Sequence, residues 1–232
     1  MYKFALMLRF ILITMSLNLA ILSWGQYHTE TEILNCDGLQ RSFEVFFPSN
    51  DTGNKNIPVL FVLHGGGGNE KGIIRTTHAR FNKLAIQEGF IVVYPNGYGK
   101  SWNDGGRDTL GIARKLQIDD VGFFDKMIKH LDSRYAVDRQ NIFACGISNG
   151  GFMVQRLAFE LSDKIKGIGV VAASMSVIQS RKTYPVNPVS VIFINGTRDP
   201  LVPYEGGDVT VFKQKRGKVL SVEESIKKAE GD

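Results

Sequence analysis

The 232-residue sequence is poor in the residues that define several protein classes. It contains only 2 cysteines and 7 prolines, which excludes a disulfide-dense miniprotein and a collagen-like or proline-rich chain. Histidine and cysteine never cluster with the spacing of a zinc site, so neither a metal nor a cofactor is predicted. The 28 basic and 23 acidic residues nearly balance, and this distribution does not indicate a nucleic-acid partner.

The length and the composition are those of a folded globular protein. Hydrophobic residues make up 43% and charged residues 22% of the chain, values that exclude a disordered protein. A chain of this size can bury a sizeable core. Because no internal repeat, low-complexity linker or change in composition divides the sequence, we expect one domain over residues 26–232.

The first 25 residues have the pattern of an export signal. Lys3 and Arg9 precede an apolar run of about 15 residues, which is short for a membrane-spanning helix of ~20 residues. Ser23 and Gly25 are small residues at positions −3 and −1 of a cleavage site. We expect residues 1–25 to be a signal peptide, and the mature chain to be extracellular or periplasmic without stable membrane association. The alternative is an uncleaved membrane anchor.

The two cysteines are expected to be free. Cys36 lies near the mature N-terminus, whereas Cys145 lies in an apolar run that has the pattern of a buried strand. Export permits a disulfide but does not require one. Two cysteines placed so differently favour free thiols over a bridge.

Five short apolar runs predict strands that are buried on both faces, which is typical of a parallel sheet. They occupy residues 59–63, 90–94, 142–145, 168–173 and 189–194. A turn dipeptide, Asp37-Gly38, separates two earlier strand-like segments and predicts an N-terminal β-hairpin.

Helical patterns lie between several of these runs. The clearest spans residues 119–135, where apolar side chains recur at spacings of 3 and 4: Val121, Phe124, Ile128, Leu131 and Tyr135. This spacing predicts one buried face of an amphipathic helix. The alternation of strands and helices predicts an α/β fold, with a mostly parallel sheet and helices on both faces.

A candidate nucleophile lies directly after the third apolar run. Gly146-Ile147-Ser148-Asn149-Gly150 matches the pattern G-x-S-x-G, and a helical segment follows it. A sharp turn from strand to helix forces its central residue into a strained backbone conformation and lifts the side chain above the sheet. Ser148 is therefore the predicted nucleophile, and the alternative is an ordinary Gly/Ser turn.

A run of four glycines after His64 predicts an oxyanion hole. Backbone N–H groups in such a segment can point toward a developing negative charge. We expect one donor from residues 65–67, represented by Gly66, and the other from Asn149. A phosphate-binding loop is excluded because no Gly-Lys-Ser/Thr directly follows the glycines, and the later Gly99-Lys100-Ser101 has Tyr94 where such a loop needs its first glycine. His64 is expected to support this loop rather than to titrate in catalysis.

Asp199 follows the last apolar run and is the candidate catalytic acid. A nucleophilic serine followed later by an aspartate is the chain order of one group of serine hydrolases. An acid at the carboxyl end of a strand can hold a catalytic histidine in the required tautomer. The alternative is a turn residue in an Asp-Pro sequence.

Two charged groups are interpreted as structural. Asp119 and Asp120 are expected to be the N-cap and a first-turn acid of a helix, rather than a carboxylate pair for glycoside hydrolysis. The basic residues near position 215 are expected to form a solvated surface: Lys213, Lys215, Arg216 and Lys218.

Trp102 is the candidate substrate-binding residue. It lies in a long polar stretch, residues 95–115, and loops of this length in compact domains are usually functional or mobile. Its ring could stack on an aromatic or sugar substrate, or it could equally pin the loop.

Together these motifs resemble the secreted polyhydroxybutyrate depolymerase and feruloyl esterase family. The resemblance covers nearly all of residues 30–230. It rests, in order, on the string from Val59 through the glycine run and on residues 94–95 with 101–103, 119–123, 146–151 and 199–204. It implies an α/β-hydrolase fold and a Ser–His–Asp esterase acting outside the cytoplasm, with Ser148 as nucleophile and Asp199 as triad acid. The implied substrates are a polyester, a feruloylated or acetylated plant polysaccharide, or short esters.

The sequence departs from that family in its histidine. The family places this residue after the acid, whereas 33 residues follow Asp199 and none is histidine. All four histidines precede the candidate nucleophile: His28, His64, His78 and His130. We expect either a C-terminally incomplete sequence, without the last strand and the catalytic histidine segment, or a diverged inactive member.

Two function classes therefore stay open. The first is a serine esterase that lacks its base in this chain and is expected to be a poor enzyme as it stands. The second is a catalytically inactive binding protein on the same fold.

Overall fold

A computed structural model of the protein describes residues 27–48, 56–106, 111–181 and 185–230. The predicted signal peptide, residues 1–25, lies outside these residues. Among the helices of the described ranges, none is long and apolar enough to cross a membrane.

Seven strands form the central sheet, in the order β1-β2-β4-β3-β5-β6-β7. Their bounds are β1 His28–Cys36, β2 Leu39–Phe47, β3 Ile57–Leu63, β4 Ile91–Pro95, β5 Val137–Ile147, β6 Gly167–Val171 and β7 Ser190–Ile194. Strand β2 is antiparallel to β1 and to β4, and the remaining neighbours are parallel. The predicted N-terminal hairpin and mostly parallel sheet are therefore confirmed.

Six helices belong to the described part of the chain. They are α1 Glu70–Thr76, α2 Arg80–Glu88, α3 Ile112–Lys115, α4 Asp120–Tyr135, α5 Asn149–Glu160 and α6 Val222–Glu230. Short 3-10 turns occur at Tyr98–Lys100 and Gln179–Arg181. Helix α4 matches the predicted amphipathic segment, and α5 begins directly after the predicted sharp turn.

Helices cover both faces of the sheet. On one face, Phe61 of β3 packs in the main core with Phe124 of α4 and side chains of α5. On the other face, Val62 of β3 packs with Ile73 of α1 and Ala85 of α2. Because successive strand side chains point to opposite faces, β3 serves both cores, and its sequence is a continuous apolar run.

The buried face of α4 is wider than the predicted stripe. The buried apolar side chains are Phe123, Phe124, Met127, Ile128 and Leu131. Two members of the predicted stripe, Val121 and Tyr135, are only partly buried. The ring centroids of Phe123 and Phe43 of β2 lie 6.3 Å apart, so contact with the N-terminal hairpin extends the buried face.

A second, two-stranded sheet was not predicted from the sequence. Strands β8 (Gly207–Val211) and β9 (Gln214–Val219) form an antiparallel hairpin outside the central sheet. Strand β7 lies at the edge of the central sheet of the described residues. Its Ile192 and Ile194 are 65% and 58% exposed, so the prediction that the last apolar run is buried on both faces is wrong for β7.

Both cysteines are free, as expected. Burial raises the pKa of the Cys145 thiol to about 12. Burial also raises the pKa of Cys36. Because the thiolate is the reactive form, neither cysteine is a candidate nucleophile.

Candidate active site

Ser148 occupies a strained turn between β5 and α5. Its φ and ψ are 52° and −119°, a combination that residues with side chains rarely adopt. Its N–H donates to the Val171 carbonyl of β6 at 2.9 Å, and its own carbonyl accepts from the Phe152 N–H of α5 at 2.9 Å. Hydrogen bonds on both sides thus hold the strained residue at the carboxyl end of β5.

The glycines around Ser148 lie where other backbone atoms leave no space for a side chain. A Cβ on Gly146 would lie 2.4 Å from the Gly150 carbonyl oxygen, and a Cβ on Gly150 would lie 2.6 Å from the His64 carbonyl oxygen. A Cβ on Gly151 would lie 2.9 Å from the Ala173 Cβ. Close approach of β3, β5, β6 and α5 therefore requires glycine at all three positions.

The predicted oxyanion donors lie beside this turn. A Cβ built on Gly65 would be 3.6 Å from the Ser148 Cβ, and one built on Gly66 would be 3.7 Å from the Asn149 Cβ. The N–H groups of Gly66 and Asn149 donate to no acceptor within the described ranges. Two N–H groups without an internal acceptor are thus brought next to the candidate nucleophile.

His64 joins the glycine run to the loop that follows β4. Its Nε2 accepts from the Gly97 N–H at 3.0 Å, so Nδ1 carries the proton and donates to the Gly65 carbonyl at 2.7 Å. Burial lowers the pKa of His64, which keeps the ring neutral. Both ring nitrogens are bonded to backbone, and the predicted supporting role is confirmed.

The substrate-binding role predicted for Trp102 is corrected by its burial. The side chain is 1% exposed, and its ring centroid lies 4.9 Å from that of His64 and 5.8 Å from that of Phe124. Its Nε1–H donates to the His64 carbonyl at 2.9 Å. No face of the ring is open to a substrate, and Trp102 instead pins the loop, which was the alternative interpretation.

The side chain of Asn149 ties the turn to the same loop. Its Oδ1 accepts from the Trp102 N–H at 2.8 Å, and its Nδ2 donates to the Trp102 carbonyl at 3.2 Å. The same Nδ2 donates to Asp104 Oδ2 at 2.9 Å. Three hydrogen bonds therefore fix the residue whose backbone N–H is a predicted oxyanion donor.

Asp120 has a contact beyond its predicted role as a first-turn acid of α4. Its carboxylate is fully buried and accepts from the Asn103 N–H at 2.7 Å, which fixes the loop from the side of α4. Asp119 is the exposed N-cap and accepts from the Gly122 N–H at 2.9 Å. The interpretation as a helix start is confirmed, because Asp119 caps α4 and Asp120 is the first residue of the helix.

Ser148 follows β5 and Asp199 follows β7, so both lie at the edge of the sheet formed by the carboxyl ends of the parallel strands, with β6 between them. Its Oδ1 accepts from the N–H groups of Leu201 and Val202 at 2.8 and 3.0 Å. This geometry is an Asx turn. Its Oδ2 accepts no hydrogen bond from a described residue, so one carboxylate oxygen is left for a further donor.

None of the four histidines, all of which the structure describes, is hydrogen bonded to Ser148 or Asp199. His28 lies 3.5 Å from Glu30, and His130 lies 3.0 Å from Glu32. His78 lies between α1 and α2 with a φ of 50°, and both ring nitrogens of His64 are bonded to backbone. A candidate nucleophile, two oxyanion donors and an acid thus share one edge of the sheet, and no histidine of the described residues is bonded to the nucleophile or the acid.

Proteins of similar sequence include esterases. The sequence signature of the Prolyl oligopeptidase family matches residues 77–185. Feruloyl esterase B of Piromyces equi is 31% identical over 177 residues, which are 72% of this chain and 31% of that protein. A bifunctional acetylxylan esterase/xylanase of Neocallimastix patriciarum is 28% identical over 171 residues, which are 72% of this chain and 23% of that protein. The chain spans less than two thirds of the length of these curated relatives.

Solved structures share the fold. A ferulic acid esterase aligns with a TM-score of 0.50 at 20% identity, over 64% of this chain and 61% of that one. A thermostable esterase aligns with a TM-score of 0.56 at 16% identity, over 78% of this chain and 49% of that one. The fold is that of the α/β hydrolases. Within this class, the chain resembles the feruloyl and acetylxylan esterases in sequence.

Proposed function

We propose that the protein is a secreted serine esterase that cleaves carboxylic esters of a polyester or of a feruloylated or acetylated polysaccharide. The observation that carries the proposal is the strained Ser148 at the end of β5, with the N–H groups of Gly66 and Asn149 beside it. The esterases among the sequence relatives support an ester substrate.

In the proposed reaction, Ser148 Oγ attacks the ester carbonyl carbon while a base takes its proton. The carbonyl oxygen becomes an oxyanion, and the N–H groups of Gly66 and Asn149 stabilise its charge. As this intermediate collapses, the C–O bond to the alcohol breaks, the base gives its proton to the leaving oxygen, and the acyl group stays on Ser148. Water then gives a proton to the same base and attacks the acyl group, which leaves as the acid while Ser148 regains its proton. Asp199 would orient a histidine serving as that base.

This mechanism needs a base beside Ser148, and none of the described histidines is hydrogen bonded to Ser148. A serine hydroxyl is a weak nucleophile without an adjacent base. We therefore propose slow hydrolysis by this chain, since removal of one triad member typically leaves roughly 10³-fold catalysis over water. The positions of the four histidines favour a second candidate, a non-catalytic binding protein on the same fold.

The test compares the wild type with Ser148→Ala in the hydrolysis of 4-nitrophenyl acetate and methyl ferulate, with and without imidazole. Added imidazole can act as the base, so it should accelerate the wild type more than it accelerates Ser148→Ala or buffer. Ser133→Ala, at an exposed position of α4, is the matched control and should behave as the wild type.

Equal rates for the wild type and Ser148→Ala under all conditions would reject the esterase and favour the binding protein. Fast turnover by the wild type without imidazole would show that one of the four histidines acts as base. That result would overturn the proposed order of the triad along the chain.

A further inference from the structure

The β8–β9 hairpin carries exposed groups that the proposed reaction does not use. Phe212, at its turn, is 92% exposed. The hairpin contains one acid, Asp208, and four basic residues: Lys213, Lys215, Arg216 and Lys218. It therefore combines a protruding aromatic ring with an excess of positive charge.

The hairpin is attached at the edge of the sheet where Ser148 lies. On one strand, the Lys218 carbonyl accepts from the Val177 N–H at 3.0 Å, in the segment that follows β6. On the other strand, the Thr210 N–H donates to the Leu201 carbonyl at 3.1 Å, in the segment that follows β7. Because β5, β6 and β7 are parallel, their carboxyl ends share one edge, and the hairpin stands at that edge with the candidate nucleophile.

The two faces of the hairpin differ. One face packs against the main core through three valines: Val209, Val211 and Val219. On the other face, Lys215 pairs with Asp208 at 2.7 Å. Lys213 is exposed and forms no ion pair with a described carboxylate. Lys218 is exposed too but lies opposite Asp208 in the hairpin, and Lys215 together with Lys218 lowers the pKa of Asp208. Lys213 is thus left for an external anion, and Lys218 shares the single carboxylate of the hairpin with Lys215.

The turn itself is strained. Phe212 and Lys213 have φ values of 49° and 62°, and Val211 pairs with Gln214 across them. A two-residue turn with positive φ at both positions usually contains Asn-Gly, and a bulky residue with positive φ is unfavourable. Phe212 gains no burial in exchange, so neither backbone preference nor core packing explains an aromatic residue here. An exposed ring in a strained turn points to a contact outside the chain.

We infer that the β8–β9 hairpin binds an acidic polysaccharide, one whose sugars carry carboxylates, and holds it at the edge of the sheet where Ser148 lies. Lys213 and Lys218 pair with the carboxylates, and the ring of Phe212 stacks on the face of a sugar. This inference rests on the proposed function, because it names the substrate class of the same site.

Two other anionic partners fit the hairpin less well. An anionic membrane requires a broad apolar face in addition to cations. Phe212 is the only exposed large apolar side chain among the hairpin residues, all of which are described, and the other exposed apolar side chains nearby, Leu201, Ile192 and Ile194, belong to other segments. Duplex DNA is bound through many phosphate contacts, and the hairpin offers few unpaired cations. A sugar chain needs a ring contact and carboxylate contacts, and this hairpin offers an exposed ring and exposed lysines.

Binding is tested without any ester bond, by affinity electrophoresis of the full chain in gels containing polygalacturonate. The wild type should be retarded, and neutral galactan should not retard it. Lys213→Gln/Lys218→Gln should weaken binding roughly fivefold or more, as expected for two exposed charge contacts. Phe212→Ser should also weaken it. Lys83→Gln/Lys129→Gln, which removes the same charge from α2 and α4, should leave binding unchanged.

Several results would overturn the inference. Equal weakening by the two double variants would show that only net charge matters. Binding to phosphatidylserine vesicles or duplex DNA as tight as to polygalacturonate would replace the polysaccharide with that partner, and unaltered binding by Phe212→Ser would remove the stacking contact. Thermal unfolding monitors the fold of each variant, and the single variants Lys213→Gln and Lys218→Gln replace the double variant if it unfolds.

The binding result is independent of the hydrolysis result. Polygalacturonate contains no ester, so loss of binding specificity leaves the comparison of the wild type with Ser148→Ala intact. Conversely, absence of hydrolysis together with specific retardation would identify a polysaccharide-binding protein without esterase activity.

Discussion

Arg41 of β2 and Asp120 of α4 form an ion pair that is closed off from solvent. Nη2 and Oδ1 lie 2.7 Å apart, and the two side chains are 2% and 0% exposed. The guanidinium carbon lies 4.2 Å from the centroid of the Phe123 ring, and the other carboxylate oxygen of Asp120 accepts from the Asn103 N–H. The pair therefore connects the N-terminal hairpin, α4 and the loop that carries Trp102. Burial raises the pKa of Asp120, and Arg41 acts against this shift.

Replacing one partner of this pair should destabilise the fold strongly. In Asp120→Asn, the buried guanidinium of Arg41 loses its counter-charge, and the free energy of unfolding should fall by about 3–5 kcal/mol. Urea denaturation followed by circular dichroism measures the change. Asp119→Asn is the matched control, because asparagine caps a helix about as well as aspartate. The apolar pair Arg41→Met/Asp120→Leu should be less destabilised than the sum of its single changes, and simple additivity would contradict the coupling.

The close approach of backbone atoms to Gly150, in the turn that carries Ser148, predicts that Gly150→Ala destabilises the fold. The new Cβ would lie 2.6 and 2.7 Å from the carbonyl oxygens of His64 and Leu63, so β3 and α5 must separate. The free energy of unfolding should fall by about 1–3 kcal/mol. Gly66→Ala provides the comparison, since its Cβ meets Asn149 at an ordinary 3.7 Å and should change stability much less. Equal losses of unfolding free energy for Gly150→Ala and Gly66→Ala in urea denaturation would contradict this close approach of β3 and α5.

Neutral His64 should make stability depend on pH. Burial lowers the pKa of His64 in the folded protein from its ordinary value of 6.5, so the unfolded chain binds the proton more readily. The contribution of the neutral ring is therefore complete above pH ~6.5 and is lost as the pH falls toward the lowered pKa.

Urea denaturation of the wild type and His64→Gln at several pH values between 7.5 and 5, a range around the ordinary pKa of histidine, measures this contribution. The free energy of unfolding of the wild type should fall more steeply below pH ~6.5 than that of the variant. The carboxyl groups are common to both proteins, so the difference isolates His64. Parallel curves would mean that the ring accepts a proton as readily in the folded state as in the unfolded chain.

Export should remove the first 25 residues. The small residues Ser23 and Gly25 precede the predicted cleavage site, and mass spectrometry of the secreted protein should find Gln26 at the N-terminus, free or cyclised. Gly25→Arg should block cleavage, because this position requires a small residue. An intact Met1 in a membrane fraction of wild-type cells would instead support an uncleaved anchor.

Local sequence was sufficient for the elements whose signals are local. The five apolar runs became β3 to β7, because strands covered on both faces do not alternate with polar residues. Strand β7 is the exception, since its Ile192 and Ile194 are exposed. The β8–β9 hairpin was missed for a local reason as well. Its Phe212-Lys213 turn has none of the residues that mark a hairpin, and closely spaced lysines and Gly217 hide the alternation of β9.

The candidate site was predictable only in part. Ser148 and the glycines around it follow from a short motif in a strand-to-helix context, whereas the bonds between Asn149 and Trp102 join residues 47 positions apart. The burial of Trp102 likewise depends on His64 and Phe124, which are distant in sequence. An aromatic residue in a polar loop has the same local pattern whether it pins the loop or meets a substrate.

At Ser148, the backbone conformation that serves the reaction also lowers the stability of the fold. With a φ of 52° and a ψ of −119°, the residue has a conformation that costs roughly 1–3 kcal/mol for a residue with a side chain and far less for glycine. A search for heat-resistant variants would therefore select Ser148→Gly, because relief of this strain exceeds the entropy that glycine gains in the unfolded chain. Among natural copies of the sequence, a hydroxyl retained here would signal selection for the reaction, since selection for folding alone gives no reason to preserve it.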